Sequence, residues 1–107
     1  MTRPGEQKLS HLFRPGRFGK FETRNLIKYG ACCVSNYNTR DGFITPRELA
    51  RMRIIANTGC GLITNQGAYP DPLGEGKAYF RQVALFDDKF LPQFETIARY
   101  IHDAGAI

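Results

Sequence analysis

The chain has 107 residues, 42% of them hydrophobic, a length that accommodates one domain at most. Its formal net charge of +5 arises within residues 1–28, where single Lys and Arg residues are interspersed with Phe and Gly. Charges scattered in this way are typical of a solvated surface, so we expect no nucleic-acid partner.

The cysteine content and the hydropathy indicate the compartment. The three cysteines provide neither an even disulfide framework nor the CxxC spacing of a metal site. No uncharged run is long enough to cross a bilayer. We therefore expect a cytoplasmic protein with reduced cysteines, no membrane segment and no metal.

The first predicted element is a β-hairpin that follows a flexible segment, residues 1–11. From Leu12 to Glu22, aromatic and charged residues alternate around Gly19-Lys20, a pattern typical of a short hairpin. Its aromatic side chains need a surface to cover. We expect this hairpin to close the lower mouth of a larger body.

Two apolar segments that end in small residues predict buried β-strands. The first runs from Asn25 to Cys33 and the second from Cys60 to Gly67. One helix-length separates them, so we expect parallel neighbours whose small-residue ends lie at the same edge of a sheet. Small residues let a flat ligand approach the backbone closely, which predicts a cofactor site at that edge.

The helix between these strands has the clearest local signal in the chain. Thr45 is the predicted N-cap, Pro46 the first helical residue and Glu48 the acid of a capping box. Gly59 is expected to end the helix. The side facing the sheet is predicted to carry Leu49, Met52, Ile55 and Ala56, and the wet side Arg47, Arg51 and Arg53.

The segment from Ala68 to Lys77 is too long for a simple connection, and long loops of this kind tend to be functional. Its Gly76-Lys77 pair does not make a phosphate-binding loop. Asp71 stands where the motif requires its first glycine, and Ala78 stands where it requires Ser or Thr.

A second helix is predicted from Pro92 to Gly105, with Asp87 and Asp88 as capping residues, and Ala106-Ile107 starts a third apolar run. The order of elements predicts an α/β fold. It corresponds to an amino-terminal hairpin plus the first two βα units of a (β/α)₈ barrel, which is incomplete because a whole barrel takes roughly 250 residues.

The order of several motifs resembles the amino-terminal part of the Old Yellow Enzyme family, the NADH:flavin oxidoreductases. The resemblance runs from about Leu12 to the last residue and is closest to the 2,4-dienoyl-CoA reductase branch. It implies that residues 12–107 are the amino-terminal portion of an FMN-binding barrel. The motifs are Leu12-Phe13-x-Pro15, Gly19, Asn25, Gly30-Ala31-Cys32-Cys33, Asp41-Gly42, Gly61-Leu62-Ile63 with Gly67, Asp87-Asp88-Lys89-Phe90 and His102-x-Ala104-Gly105.

The resemblance also implies which residues contact the flavin. The family's flavin-contacting turn after the first strand corresponds to Gly30, Ala31, Cys32 and Cys33. Within it, Cys33 corresponds to the position that often faces the pyrimidine edge and N5. Gly67 corresponds to the small residue whose backbone approaches the isoalloxazine ring. The sequence departs from the family at Leu26, commonly arginine, at Lys28, usually apolar, at Ala31, commonly proline, and at Gln66, commonly an acid.

The activity implied by the resemblance is that of an FMN-dependent ene-reductase. Such an enzyme passes a hydride from NAD(P)H through the flavin to an activated C=C bond of an unsaturated carbonyl or acyl-CoA compound. The dienoyl-CoA branch also contains FAD and a 4Fe-4S cluster. The ligands of these groups, the flavin-phosphate residues and the proton donor all correspond to positions beyond Ile107, so the catalytic residues are unknown.

Other interpretations remain open at this point. The chain would be inactive alone if it is a non-catalytic split or truncated barrel segment that acts with the remaining barrel polypeptide or a partner chain. It could instead be a small basic binding module, and homo-oligomer formation is open. Cys33 could be a small buried residue, Cys32 and Cys60 are expected to be packing residues, and neither His11 nor His102 is a good catalytic candidate.

Overall fold

The fold is that of a computed structural model, which describes residues 7–107. Residues 1–6 of the predicted flexible segment lie outside the described part. Ser10–Phe13 form a short helix, α1, which crosses the predicted boundary after residue 11. The alternating pattern predicted that Leu12 and Phe13 belong to the hairpin. This prediction was wrong, because both residues lie in α1. The Leu12 carbonyl instead accepts a 2.8 Å hydrogen bond from the Leu26 amide, which ties the helix to the chain that enters the sheet.

The rest of the predicted hairpin is confirmed. Strand β1, Gly16–Phe18, pairs antiparallel with β2, Phe21–Thr23. The turn between them uses Gly19 at a φ of +59°, a conformation that side chains disfavour. The phenyl groups of Phe18 and Phe21 remain half exposed, so the aromatic surface of the hairpin is available to pack against further polypeptide.

The predicted parallel pairing is also confirmed, although its strands are short. Strand β3, Lys28–Tyr29, pairs in parallel with β4, Leu62–Ile63, and Lys28 lies opposite Leu62. Ile107 extends the sheet on the far side of β4, since its amide donates to the Gly61 carbonyl and its carbonyl accepts from the Ile63 amide. Outside these pairs, the rest of the two predicted segments of eight or nine residues is not part of a strand.

Two helices cover one face of this sheet. Helix α2 spans Pro46–Ala56, and helix α3 spans Leu91–Asp103 after a 3₁₀ turn over Asp88–Phe90. As predicted, the Thr45 hydroxyl caps α2. The apolar core between helices and sheet consists of Met52, Ile55, Ala56, Ile63, Ile97, Ile101 and Ala106.

The prediction was wrong for two charged residues of α2. Glu48 is fully buried, and its carboxylate turns inward to accept hydrogen bonds from Arg51 and Gln66, so it does not close a capping box. The Arg51 side chain is only 18% exposed and does not lie on the wet side. Both residues are buried because each charge compensates the other.

One arginine contacts the chain just before β4 and just after α3. The Arg24 guanidinium donates to the carbonyl of Cys60 at 3.0 Å and to the carbonyl of Ala104 at 2.7 Å. These carbonyls lie just before β4 and just after α3. Arg24 therefore fixes the starts of two successive strand segments relative to the start of β3.

Candidate functional site

The structure brings the predicted site residues to one edge of the sheet. The turn Gly30 to Cys33 follows β3 and is exposed, and Gly67 follows β4 and is also exposed. A methyl group placed on Gly67 would lie 4.0 Å from the Cys33 sulfur. The predicted proximity of the two segments is therefore confirmed, while their role in binding a cofactor stays a prediction.

The backbone at this edge leaves open space next to two glycines. A methyl group on Gly30 would meet no atom within 4 Å, and one on Gly67 would make only ordinary contacts. Neither residue has a positive φ. The chain's own conformation thus requires glycine at neither position, which leaves room for a flat group to lie directly against the backbone.

A buried polar network lies behind the edge and is organised by Gln66. Its amide nitrogen donates to Glu48 Oε1 at 3.0 Å, and its amide oxygen accepts from the Tyr79 hydroxyl at 2.8 Å. Asn38, also buried, exchanges hydrogen bonds with the same amide. Gln66 therefore links helix α2 to the long loop after β4.

The charges of this network form one compact ion pair. Arg51 Nε and Nη2 each lie 2.7 Å from an oxygen of Glu48, a bidentate arrangement that fixes both side chains. The Glu48 carboxylate, opposed by the cost of partial burial, raises the pKa of the Arg51 guanidinium. Arg51 Nη1 also donates to the Tyr29 hydroxyl at 3.2 Å, which connects the pair to β3.

Two tyrosines bring this network to the adjacent cysteines. The pKa of Tyr79 is raised mainly by burial and, to a smaller extent, by the neighbouring Cys33 thiol. At Tyr29 the hydrogen bond with Cys32 is the largest cause of a raised pKa, followed by burial. Both phenols therefore stay protonated at neutral pH. Tyr79 had no signal of its own in the sequence beyond its position after an unusually long loop.

That loop is held by Asp71. Its carboxylate accepts hydrogen bonds from the backbone amides of Glu75 at 2.7 Å and Gly76 at 2.8 Å, and these two contacts lower the pKa of the Asp71 carboxyl. The ends of the segment are joined where Tyr69 pairs with Ala84 in a parallel bridge. The loop is thus a closed unit that presents Tyr79 to the edge of the sheet.

Replacing Asp71 by alanine is expected to loosen this loop, since two backbone amides lose a charged acceptor. We expect trypsin cleavage after Lys77 to become several-fold faster, as measured by mass spectrometry under native conditions. Glu75→Ala is the matched control, because it removes a neighbouring charge but leaves both bonds in place. Equal cleavage rates in the two variants would contradict the role given to Asp71.

Within residues 7–107, no three His, Cys, Asp or Glu side chains come together in the manner of metal ligands. None of the helices described there is both long and apolar enough to cross a membrane. The polar network and the two open glycines thus remain the distinctive features of the described residues.

Comparison with known proteins gives relatives over most of the chain. An NADH oxidase from Thermoanaerobacter brockii is 31% identical over 96 residues, 90% of this chain and 14% of that protein. An N,N-dimethylglycine/sarcosine dehydrogenase from Chromohalobacter salexigens is 27% identical over 94 residues, 88% of this chain and 13% of that protein. No family model matches the chain.

Solved structures agree with these relatives. The structure of a 2-naphthoyl-CoA reductase with 2-naphthoyl-CoA superposes on 91% of this chain with a TM-score of 0.81 and 32% identity. The old yellow enzyme homologue of Zymomonas mobilis superposes on 90% of the chain with a TM-score of 0.72 and 27% identity. These similarities place the chain in the Old Yellow Enzyme family.

The match to Old Yellow Enzyme proteins covers a small part of each relative. The chain spans 14% of the 2-naphthoyl-CoA reductase chain and 26% of the Zymomonas mobilis homologue. It spans about one seventh of the curated relatives. The comparisons therefore establish the family and the mixed α/β character of this chain. The activities, substrates and partners of the relatives are properties of whole proteins that are several times longer.

Proposed function

We propose that this chain supplies the first wall of the FMN site of an NAD(P)H-dependent oxidoreductase. The observation that carries the proposal is the juxtaposition of Cys33 with Gly67 at the carboxyl edge of a parallel sheet, beside glycine positions that the fold itself does not require. Ligands of α/β proteins bind at this edge as a rule. Membership of the Old Yellow Enzyme family supports a flavin as the ligand.

The residues present fit a flat ring system. The backbone from Gly30 to Cys33 and at Gly67 would hold the flavin by close approach, and among residues 7–107 no side chain comes closer than 3.8 Å to a methyl group placed on either glycine. Bound FMN would accept a hydride from NAD(P)H and pass it to an activated C=C bond. The chain's own contribution is to position the ring, with the Cys33 sulfur next to the Gly67 backbone.

The rest of the catalytic machinery would come from further polypeptide. The relatives are several times longer than the matched segment, so we propose that the chain acts within a (β/α)₈ barrel completed by additional sequence or by a partner chain. We refer to this assembly as the complete enzyme. The half-exposed aromatic hairpin supports the proposal because it offers an apolar surface for such packing.

An acyl-CoA compound is the proposed substrate class. The support is the 32% identity to a protein solved with 2-naphthoyl-CoA, and the 31% identity to an NADH oxidase supports NADH as the reductant. We assign the protein to the cytoplasm, in keeping with its three free cysteines. FAD and a 4Fe-4S cluster would require ligands from the additional polypeptide.

Substitution of Cys33 tests the flavin proposal. Cys33→Ala in the complete enzyme is expected to shift the reduction potential of bound FMN, because a polarisable sulfur beside the ring is replaced by a methyl group. The measurement is a spectroelectrochemical titration that follows the visible absorption band of the flavin.

Cys60→Ala is the matched control for this experiment. It makes the same chemical change at the opposite edge of the sheet. The Arg24 side chain donates to the backbone carbonyl of Cys60, so the substitution leaves that hydrogen bond in place. We expect the control to leave the potential unchanged. If the complete enzyme binds no flavin, the proposed function fails; if it binds flavin but Cys33→Ala behaves like the control, the Cys33 side chain does not act on the flavin.

A further inference from the structure

A short turn at the end of the long loop, residues 79–82, is fastened to the carboxyl edge of the sheet, and we call it the rim turn. The Gln82 side-chain amide donates to the Gly67 carbonyl at 2.9 Å. At the other end of the turn, the Tyr79 hydroxyl donates to the Gln66 side chain at 2.8 Å. The rim turn is therefore fixed next to the backbone at which the flavin is proposed to bind.

Within the rim turn, Arg81 has a backbone conformation that favours glycine. Its φ is +59°, a region in which a side chain crowds the backbone. The buried Asn38 amide donates to the Arg81 carbonyl at 3.0 Å, which holds the backbone in this conformation. A large cationic side chain thus occupies a position where the fold alone would favour glycine, and strain of this kind concentrates at binding sites.

Two guanidinium groups lie near the same aromatic ring. Arg81 Cζ is 5.5 Å from the centroid of the Phe80 ring, and Arg40 Cζ is 5.6 Å from it. Phe80 is 56% exposed, so this cluster of three side chains lies at the surface. Arg40 belongs to the loop after β3, and Arg81 to the loop after β4. Each of the two loops at the carboxyl edge therefore contributes one positive charge to the cluster.

The described residues do not neutralise these charges. Within residues 7–107, neither Arg40 nor Arg81 forms an ion pair with a carboxylate. Asp41, next to Arg40 in sequence, instead accepts a hydrogen bond from the Thr39 hydroxyl. Arg81 Nε is buried and has no hydrogen-bond partner among these residues. Since a guanidinium group donates in a fixed fork that matches the oxygens of a phosphate group, the cluster has the charge and the donors for a phosphorylated ligand.

We propose that Arg40 and Arg81 bind the diphosphate of an adenosine diphosphate moiety, the group that coenzyme A and NADH share. The inference rests on the proposed function, which requires ligands whose reacting ends meet the flavin. In an acyl-CoA compound and in NADH, a linker or a sugar separates the diphosphate from the reacting end. The diphosphate must then lie outside the ring site, at a rim such as the one that carries the two arginines.

The test is the binding of ADP, which is the shared group itself, to the complete enzyme by isothermal titration calorimetry. Arg40→Gln and Arg81→Gln are each expected to weaken ADP binding roughly tenfold, because each removes hydrogen bonds to a charged group. Arg53→Gln is the matched control and should leave the ADP affinity unchanged. Arg53 is also an exposed arginine over an aromatic ring, 4.4 Å from the centroid of Tyr100, but it lies on the helices.

Arg81→Gly separates a binding role from a structural one. Glycine relieves the positive φ, so the melting temperature of the complete enzyme should not fall, whereas ADP binding should weaken as in Arg81→Gln. An ADP affinity that stays unchanged in both variants of Arg81 would overturn the proposal. So would equal weakening by Arg53→Gln, or a failure of the unsubstituted enzyme to bind ADP.

Titrations with coenzyme A and with NADH distinguish the two sources of the diphosphate. The ligand that uses the cluster should lose affinity in Arg81→Gln, and the proposal fails if neither ligand does. Pantetheine lacks the diphosphate, so its binding should not depend on Arg81. ADP binding is measured independently of the flavin spectrum. An enzyme that binds ADP through the two arginines but binds no FMN would therefore contradict the proposed function and not the assignment of the arginines.

Discussion

Replacing Glu48 by alanine is expected to lower the free energy of unfolding by about 3 kcal/mol. The substitution leaves the Arg51 guanidinium partly buried without its bidentate partner and removes the acceptor of the Gln66 amide. The loss should appear in urea-induced unfolding of the flavin-free complete enzyme, followed by far-ultraviolet circular dichroism. Glu95→Ala, an exposed acid on α3, is the matched control and should change stability by less than about 0.5 kcal/mol.

A double substitution tests whether the loss of stability comes from the unpaired charge of Arg51. Replacing Glu48 and Arg51 together by methionine removes both charges and retains similar volume, so it should cost less than Glu48→Ala alone. If the double variant is as unstable as the single one, the uncompensated charge is not the cause of the loss. The destabilisation would then come from packing or from the remainder of the network around Gln66.

Substituting Gly67 by valine is expected to weaken FMN binding at least tenfold, which corresponds to about 1.4 kcal/mol. A branched side chain would occupy the space beside the backbone where the ring is proposed to lie. The flavin-free protein should lose less than this, because Gly67 has no positive φ and a Cβ there would meet Gln82 Nε2 only at 3.8 Å. Fluorescence titration with FMN and thermal melts without it measure the two effects.

Gly19→Ala is the control with the opposite pattern. Gly19 has a φ of +59° at the tip of the hairpin, so alanine there should cost stability by roughly 1 kcal/mol and leave FMN affinity intact. Equal FMN affinities for Gly67→Val and the unsubstituted protein would remove Gly67 from the site. A collapsed melt of flavin-free Gly67→Val would show that the glycine is needed by the fold.

Much of the local structure could be predicted because its determinants are adjacent in sequence. Thr45 and Pro46 specify a helix start by themselves, and Gly59 has the positive φ of 98° expected after a helix end. The parallel pairing of Lys28 with Leu62 follows from two apolar segments one helix apart. Helix α1 has no such adjacent signal: no side chain caps it, and the Leu12 carbonyl accepts a hydrogen bond from the distant Leu26 amide.

The candidate site also has a part that could be predicted from the sequence and a part that could not. The meeting of Cys33 and Gly67 follows from strand direction alone. The network behind them does not, because a charged residue at a helix start, such as Glu48, has an equally good local explanation as part of a cap. Tyr79 reaches Gln66 only because the loop folds back through the Asp71 turn and the pairing of Tyr69 with Ala84, and no local periodicity encodes that return.

The hydrogen bonds that Arg24 donates have a consequence for the order of folding events. They join Arg24 to carbonyls 36 and 80 residues further along the chain. Contacts that close such long segments repay their entropic cost only after the intervening helices have docked. We therefore expect the amino-terminal edge of the sheet to form last during folding. Substitution of Arg24 should then change mainly the unfolding rate.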